Sequence, residues 1–274
     1  MKRTFYTLLF LAASNFTFAQ TNTWKYDFGE TESTFNPNPG ASSTKFLPKG
    51  AINLNKGLKQ VVRVRTSSDA TGAFSLVKKG ASFIKGAGLE IVAGSSTSKF
   101  SIYNIDSKSI AKTSFNIKFD ESSAGQWVFA NGNTNIDDDV FQGNSAIKET
   151  TAEVFAGLRW TLSPANELGF YTRNGVKWSA VKNHPFIKNG EYLVEIYSNN
   201  SAENKSYTKD GANTLKTGTF HVWVNGKRIP IDFVSGGLEV GKDLAGLLIY
   251  GTTPKGTETM AKAWVDNLEF SETL

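Results

Sequence analysis

The sequence contains no cysteine among its 274 residues. This absence excludes disulfide bonds, cysteine nucleophiles and cysteine metal ligands, and it also excludes a lipid-modified cysteine near the start of the chain. An exported protein of this composition must be stabilised by burial alone. A chain of this length can do so, because roughly three quarters of the unfolded surface is buried near this size.

Helical patterning is missing as well. No stretch of ten or more residues repeats its apolar side chains with a period of 3.6, whereas short alternating segments between glycine-rich turns recur along the chain. No linker rich in proline or serine divides the sequence, and no internal repeat is found. These absences predict one all-β domain over residues 20–274, a two-sheet antiparallel β-sandwich of the jelly-roll type.

Charge is spread out rather than grouped. The formal net charge is +5, and lysine and arginine form no cluster of the kind that binds nucleic acid. A basic surface attracts polyanions in general, so an anionic polysaccharide is the expected partner, with solubility alone as the other explanation of the charge. We expect a monomer with no nucleic-acid partner and no membrane span.

The start of the chain is typical of a secretory signal peptide. Residues 1–3 are positively charged, an apolar run extends from Phe5 to Ala13, and a small-residue cleavage site ends at Ala19. The apolar run is too short to span a bilayer as a helix. We therefore predict that residues 1–19 are removed and that the protein is secreted.

The strongest local signal is the Asn225-Gly226 pair between two β-rich runs. Asn-Gly favours a two-residue hairpin turn, because both positions must adopt positive φ. On the first strand alternate residues form an apolar set, while His221 and Trp223 point to the opposite face. That face is either a ligand-binding surface or a place where a hydrogen-bonded histidine packs beside a tryptophan.

Other strands carry basic and aromatic residues on the face opposite their apolar sets. These residues are Arg63 and Arg65 on one strand, Arg159, Tyr171 and Arg173 on a predicted hairpin, and Tyr197 on a further strand. Lys177, which follows a second Asn-Gly turn at Asn174-Gly175, and Asn199, at the end of the Tyr197 strand, are further candidates for binding a ligand. Such a set combines cations that could hold a carboxylate with groups able to move a proton.

The Asn/Asp-rich segment 131–139 is a candidate metal loop. Its oxygen-bearing side chains suit a hard cation such as calcium, and the candidate ligands are Asn133, Asn135, Asp137 and Asp139. The segment lacks the late glutamate of a helix-loop-helix calcium loop, so a surface turn is the alternative. Any calcium here is expected to be structural, and no cofactor is expected for the chemistry.

The order of these elements resembles the concanavalin A-like, or laminin-G-like, jelly roll. The resemblance rests on the strands Tyr192–Tyr197, Val222–Lys227 and Trp264–Leu268, and it covers roughly Trp24 to Phe270. Proteins of this fold include lectins, glycanases, lyases and adhesion modules, so the fold alone does not select a function.

More narrowly, the chain resembles the jelly-roll ulvan lyases of polysaccharide lyase family 28. That likeness rests on the general look of Arg159-Trp160, residues 169–175 and 196–200, and the Asn225-Gly226 hairpin. Alginate lyases of the same fold carry Arg-x-Glu-x-Arg and Gln-x-His strands. Here Arg63-Val64-Arg65 lacks the glutamate and Phe220-His221 lacks the glutamine, which argues against an alginate lyase.

The ulvan lyase resemblance implies β-elimination on a polysaccharide that contains uronic acid. The reaction needs a group that neutralises the carboxylate, a base and an acid. The candidate catalytic residues are His221, Arg159, Tyr171 and Tyr197, and the candidate substrate-binding residues are Arg63, Arg65, Arg173, Lys177, Asn199 and Trp223. The second hypothesis is a non-catalytic glycan-binding module that uses Trp127, Trp178, Trp223 and Tyr197 as stacking surfaces. A glycosidase is disfavoured, since no strand carries the paired carboxylates it needs.

Overall fold

The computed structural model describes residues 23–35, 40–50, 59–66, 72–120, 124–134, 139–163, 168–257 and 259–274. The predicted signal peptide, residues 1–19, lies outside these ranges, so secretion stays a prediction. Within these ranges the chain forms strands, turns and loops and contains no helix. No candidate for a membrane-crossing helix is therefore found in the described part of the chain.

The described strands are numbered in chain order. They are β1 (Thr23–Tyr26), β2 (Ser33–Phe35), β3 (Ser42–Ser43), β4 (Val61–Thr66), β5 (Ala73–Val77), β6 (Gly88–Val92), β7 (Ser98–Tyr103), β8 (Ile110–Phe119), β9 (Gly125–Gly132), β10 (Val154–Leu162), β11 (Leu168–Asn174), β12 (Lys177–Ala180), β13 (Glu191–Asn199), β14 (Lys205–Thr208), β15 (Ala212–Leu215), β16 (Thr219–Val224), β17 (Lys227–Arg228), β18 (Phe233–Val234), β19 (Gly246–Thr252) and β20 (Lys262–Ser271).

Two large sheets are formed from these strands. A ten-stranded sheet has the order β17-β16-β13-β8-β20-β6-β5-β2, with β1 also paired to β20 and β18 to β16. An eight-stranded sheet has the order β12-β11-β10-β9-β19-β7-β4-β3, and β14 and β15 form a separate hairpin. The described pairings between neighbouring strands are antiparallel. The predicted all-β jelly-roll sandwich is confirmed.

The apolar core lies between the two sheets. On β8 the alternate residues Phe115, Ile117 and Phe119 are fully buried, as their period of two predicts. Phe115 stacks on Phe129 of the eight-stranded sheet with ring centroids 4.8 Å apart. Aromatic contacts of this kind join the two layers and replace the covalent links that the sequence lacks.

The Asn225-Gly226 turn forms as predicted. Both residues have positive φ, 49° and 78°, and the strands that flank them pair Val224 with Lys227. The second Asn-Gly pair behaves differently, because Asn174 pairs with Lys177 and the turn is centred one residue later, on Gly175-Val176. This register places Trp178 opposite Arg173 on the outer face of the eight-stranded sheet.

The first and last described strands are neighbours in the ten-stranded sheet. β1 pairs with β20, and Thr23 lies directly opposite Ser271. The two hydroxyls are 3.1 Å apart, and the ring of Trp24 stacks on that of Phe270. The two ends of the described chain therefore lie side by side as paired strands of one sheet.

Each sheet has part of its outer face covered. Residues 139–151, which we call the cap segment, lie over the outer face of the eight-stranded sheet and form a second apolar cluster that includes Phe141, Ile147 and Tyr250. The β14–β15 hairpin lies over the outer face of the ten-stranded sheet and forms a third cluster. The cap segment and the β14–β15 hairpin therefore determine which part of each outer face stays open to solvent.

Asn199 holds the β14–β15 hairpin in place. Its amide nitrogen donates to the carbonyl oxygens of Glu203 and Leu215, 2.8 Å and 2.9 Å away, and its oxygen accepts from the backbone of Ser201. The side chain is fully buried. Asn199 was predicted to bind substrate, but the structure uses all of its hydrogen bonds to fix the base of this hairpin.

Replacing Asn199 by alanine should destabilise the protein by about 2–3 kcal/mol, because buried backbone groups lose their partners. Urea unfolding measures this loss, and limited proteolysis should show faster cleavage within the hairpin. The control is Asn213→Ala, since Asn213 bridges carbonyls at the half-exposed tip of the same hairpin. Equal effects of the two substitutions would contradict the assigned role of Asn199.

Candidate functional site

The predicted site residues fall into two groups on opposite sides of the sandwich. Those on the outer face of the ten-stranded sheet are His221, Tyr197, Asn199 and Trp223, and those on the eight-stranded sheet are Arg63, Arg65, Arg159, Tyr171, Arg173 and Lys177. The core separates the two outer faces. The four candidate catalytic residues therefore do not form one site, because the strands of Arg159 and Tyr171 belong to one layer and those of His221 and Tyr197 to the other.

His221 lies in a closed hydrogen-bonded cluster beneath the β14–β15 hairpin. Its Nδ1 is 2.8 Å from the Tyr207 hydroxyl, and its Nε2 is 3.0 Å from Asp232 Oδ1. The indole nitrogen of Trp223 donates to the same Tyr207 hydroxyl at 2.9 Å. If that hydroxyl donates to Nδ1, the neutral imidazole carries its proton on Nε2 and donates it to Asp232. Arg228, whose Nη2 is 2.9 Å from Nε2, then donates to Asp232 Oδ1 and not to the imidazole.

The remaining members of this cluster are also engaged in packing. The ring of Tyr197 stacks on Tyr207 with centroids 4.1 Å apart, and burial raises the pKa of Tyr197 to about 12. Glu195 is 4% exposed and is held by the ammonium groups of Lys112 and Lys209. Because His221 itself is fully buried, no glycan chain can reach this imidazole while the hairpin is in place.

Three of the predicted binding arginines donate hydrogen bonds to the cap segment. Arg63 and Arg65 both donate to the carbonyl oxygen of Gln142. Arg173, 1% exposed, donates to the carbonyls of Lys148, Thr151 and Gly236. Burial lowers the pKa of this guanidinium, and the carbonyl dipoles offset part of the cost of its desolvation.

Lys99 makes the same kind of contact, although no sequence pattern had marked it as a candidate. Its ammonium donates to the carbonyls of Val140, Gly143 and Ser145 at 2.8, 3.1 and 2.7 Å. Tyr207, at the centre of the His221 cluster, was also missed, because it lies in a polar excursion without a strand pattern. Both residues act through long-range contacts that only the fold creates.

Arg159 differs from these buried cations. Its guanidinium carbon is 4.5 Å from the ring centroid of Tyr171 and 4.8 Å from that of Trp178. Neither its Nε, which is buried, nor the rest of the guanidinium is hydrogen-bonded or ion-paired to a described residue. The aromatic faces attract the charge but leave its N–H donors free for a ligand.

Two glycines create the space for this arrangement. A methyl group on Gly157 would lie 3.3 Å from the ring of Trp178, and one on Gly169 would lie 3.0 Å from the ring of Tyr171. Each aromatic ring therefore lies across a position without a side chain. This lets both rings lie flat beside Arg159 on the outer face of the sheet.

Arg159 opens into a pocket of about 470 Å³ at the border of the cap segment. The pocket is also lined by Lys148, Arg173, Lys177 and Glu149, so four cations surround one carboxylate. No carboxylate of the described residues lies within ion-pairing distance of those four cations. Burial lowers the pKa of Arg159, which means that the charged form is poorly solvated and gains from an anionic partner.

The predicted calcium loop is described only in part. Asn135 and Asp137 lie outside the described residues, and Asn133 donates its amide to the carbonyl of Asp243 at 3.0 Å. Asp139 accepts from the backbone of Phe141 and Gln142 through Oδ1, while its buried Oδ2 has no hydrogen-bond partner among the described residues. Among the described residues no group of three or more histidines and carboxylates forms a metal site.

Replacing His221 by glutamine should change how stability depends on pH. Burial, followed by the charge of Arg228, lowers the pKa of His221 from 6.5. The folded protein therefore keeps this imidazole neutral where the unfolded chain protonates it. Its contribution to stability is complete above pH 6.5 and is lost as pH falls below that value.

The difference in unfolding free energy between the wild type and His221→Gln should therefore shrink between pH 7.5 and pH 5.5 in urea titrations. Groups such as Asp139 titrate in both proteins and cancel in this difference. A difference that grows on acidification would contradict a buried neutral imidazole.

Comparisons with known proteins identify no family. No protein-family model and no curated protein matches the sequence. Among solved structures, the catalytic domain of an endo-1,3-beta-glucanase (laminarinase) from Thermotoga petrophila is 11% identical, covering 90% of this chain and 96% of that one, with a TM-score of 0.45. A protein of unknown function with a galectin-like fold from Bacillus subtilis is 12% identical over 70% of this chain and 86% of that one, with a TM-score of 0.42. Neither likeness assigns a family or an activity to this chain.

Proposed function

We propose that this protein binds an anionic glycan through a carboxylate or sulfate group at Arg159. The observation that carries the proposal is the state of this guanidinium, which is partly desolvated, open to a pocket and without an anionic partner among the described residues. Removing a cation from water is unfavourable unless it is paired. A ligand carboxylate or sulfate supplies that pair with the geometry that arginine favours.

The surroundings of Arg159 suit a sugar better than a free inorganic ion. Trp178 and Tyr171 present half-buried aromatic surface beside the cation, and Val176 adds an exposed apolar side chain at the rim. Sugar rings have apolar C–H faces that pack on such surfaces, while their polar groups meet charged or hydrogen-bonding side chains. The exposed Lys177 adds a solvated cation that would attract a polyanion at longer range.

Binding should depend on Arg159 and on salt. Arg159→Met keeps an unbranched side chain against both rings but removes the charge, and it should weaken binding of a uronic-acid oligosaccharide by about tenfold to a hundredfold. Isothermal titration at several salt concentrations measures this loss. Wild-type affinity should fall as salt rises, because screening weakens attraction between separated charges.

The matched control for this test is Arg228→Met. Arg228 is a half-buried arginine on the outer face of the other sheet, where it pairs with Asp232. Its loss can lower stability, but it should leave glycan affinity unchanged. Equal affinity of the wild type and Arg159→Met, or a preference for a neutral glucan, would overturn the proposal.

The second candidate function is β-elimination of a uronic-acid polymer, with ulvan as the expected substrate. It is favoured by the contact between Arg159 and Tyr171, since a cation that neutralises the C6 carboxylate then lies beside a phenol that can exchange a proton. In this arrangement Arg159 stabilises the charge that builds up on the carboxylate. Tyr171 would take the C5 proton and return a proton to the leaving glycosidic oxygen.

An ultraviolet assay for the unsaturated product separates the two functions. Incubation with ulvan, alginate, pectin and glycosaminoglycans should give rising absorbance for a lyase, and retarded migration alone for a binding module. If cleavage occurs, Tyr171→Phe should lower kcat by at least about a hundredfold and leave KM little changed. Cleavage that survives this substitution would exclude Tyr171 as the acid–base group.

Structural calcium near Asp139 also stays a proposal. Burial raises the pKa of this carboxyl from 3.8 to about 6. Its ionisation therefore costs stability as pH rises from 3.8 to about 6, and the cost is about 3 kcal/mol at pH 7. A cation bound to the unpaired Oδ2 would remove this cost. Among the described residues, Asp139 offers calcium one buried carboxylate oxygen that has no hydrogen-bond partner.

The melting temperature of the wild type should therefore rise on addition of calcium and fall in chelator. Asp139→Asn should not respond to calcium. In chelator this variant should be more stable than the wild type at pH 7 and equally stable near pH 3, where both side chains are uncharged. An unchanged wild-type melting curve in calcium and chelator leaves the surface-turn interpretation.

A further inference from the structure

A second pocket lies on the same outer face of the eight-stranded sheet, next to the Arg159 pocket. Its volume is about 440 Å³, and its lining includes Gln126, Thr161 and Thr252. These three residues form one row across the sheet, because Thr252 pairs with Gln126 and Gln126 pairs with Thr161. Lys255 alone is charged among the described residues that line this pocket.

The strand register fixes how the two pockets are related. Thr161 follows Arg159 by two residues on β10, so both side chains project from the same face and their rows are about 7 Å apart. Tyr171 pairs with Arg159, and its ring lies across Gly169, the partner of Thr161 in the next row. Tyr171 therefore reaches from the Arg159 row into the row of the second pocket.

The second pocket offers hydrogen bonds without charge. Neither the amide of Gln126 nor the hydroxyl of Thr161 is hydrogen-bonded to another described residue. Amide and hydroxyl groups both donate and accept, which matches the hydroxyls of a sugar. Lys255 is exposed and solvated. Like Lys177 at the first pocket, it would attract a polyanion at longer range but add little to the binding of a single sugar.

We propose that the second pocket is a subsite for an uncharged sugar, next to an acidic sugar in the Arg159 pocket. The ligand class is then a polysaccharide in which acidic and neutral units alternate, lying along β10 and crossing the ring of Tyr171. This inference rests on the proposed function, since it extends the same groove. It adds that the chain selects its ligand by the pattern of charge along the polymer and not by total charge.

The test uses three probes and the full protein. The probes are methyl glucuronide, a hyaluronan tetrasaccharide, in which glucuronate alternates with neutral N-acetylglucosamine, and a galacturonate tetrasaccharide, in which every unit is acidic. We expect the hyaluronan tetrasaccharide to bind at least about tenfold more tightly than methyl glucuronide and more tightly than the galacturonate tetrasaccharide. Titration calorimetry, with ligand-detected NMR for the weak monosaccharide, measures all three affinities.

Substitutions in the second pocket assign the effect. Thr161→Val and Gln126→Ala should each weaken the hyaluronan tetrasaccharide by about threefold to tenfold and leave methyl glucuronide unchanged. Thr214→Val, which removes an exposed hydroxyl from β15 on the other side of the sandwich, should alter neither affinity.

The outcomes separate this inference from the proposed function. If methyl glucuronide binds and Arg159→Met abolishes that binding, the proposed function stands. If Thr161→Val and Gln126→Ala then bind the tetrasaccharide as the wild type does, or the galacturonate tetrasaccharide binds more tightly, the neutral subsite is overturned. If none of the three probes binds, the neutral subsite and the binding of a carboxylate at Arg159 are both overturned.

Discussion

The contacts between buried cations and the carbonyl groups of the cap segment determine what the outer face of the eight-stranded sheet can do. Lys99 and Arg173 are each 1% exposed, and each donates to three carbonyl oxygens. A cation in such a position is stable only if oriented dipoles replace its hydration. The cap segment supplies five of these six carbonyls and Gly236 supplies the sixth, and the cations in return fix an irregular loop against the sheet. Without these contacts the wall of the Arg159 pocket would have no defined position.

Arg159 and Arg173 show how one residue type takes two roles on neighbouring strands. The guanidinium of Arg173 donates to the carbonyl oxygens of Gly236 and Lys148, so its role is structural. That of Arg159 lies at the edge of the cap, against two aromatic rings, and keeps its donors unused by the described residues. A cation already satisfied by backbone has little to gain from a ligand, whereas one that is only partly desolvated and unpaired has much to gain. This contrast is the reason that the site centres on Arg159.

Sequence patterns predicted the layers of this protein better than its surfaces. Alternation identified the core residues of β8 and β16, and the positive φ of Asn225 and Gly226 follows from their chemistry. The pairing of His221 with Arg159 failed because a period of two says which way a side chain points but not which sheet its strand joins. The role of Asn199 could not be predicted from the alternating pattern either, since the Leu215 carbonyl that it contacts becomes its neighbour only when the later hairpin folds back.

The pairing of β1 with β20 gives the molecule a mechanically weak point. Thr23 and Ser271 lie opposite each other, so a force that pulls them apart acts along the hydrogen bonds between the strands, which run across an antiparallel pair. Such a load breaks these hydrogen bonds one after another, starting at the contact between the two hydroxyls. By contrast, β20 is also held on both sides by β8 and β6, and it would resist until β1 had peeled away. A tethered molecule pulled at these two positions would therefore lengthen first by the release of one short strand, with the sandwich still intact.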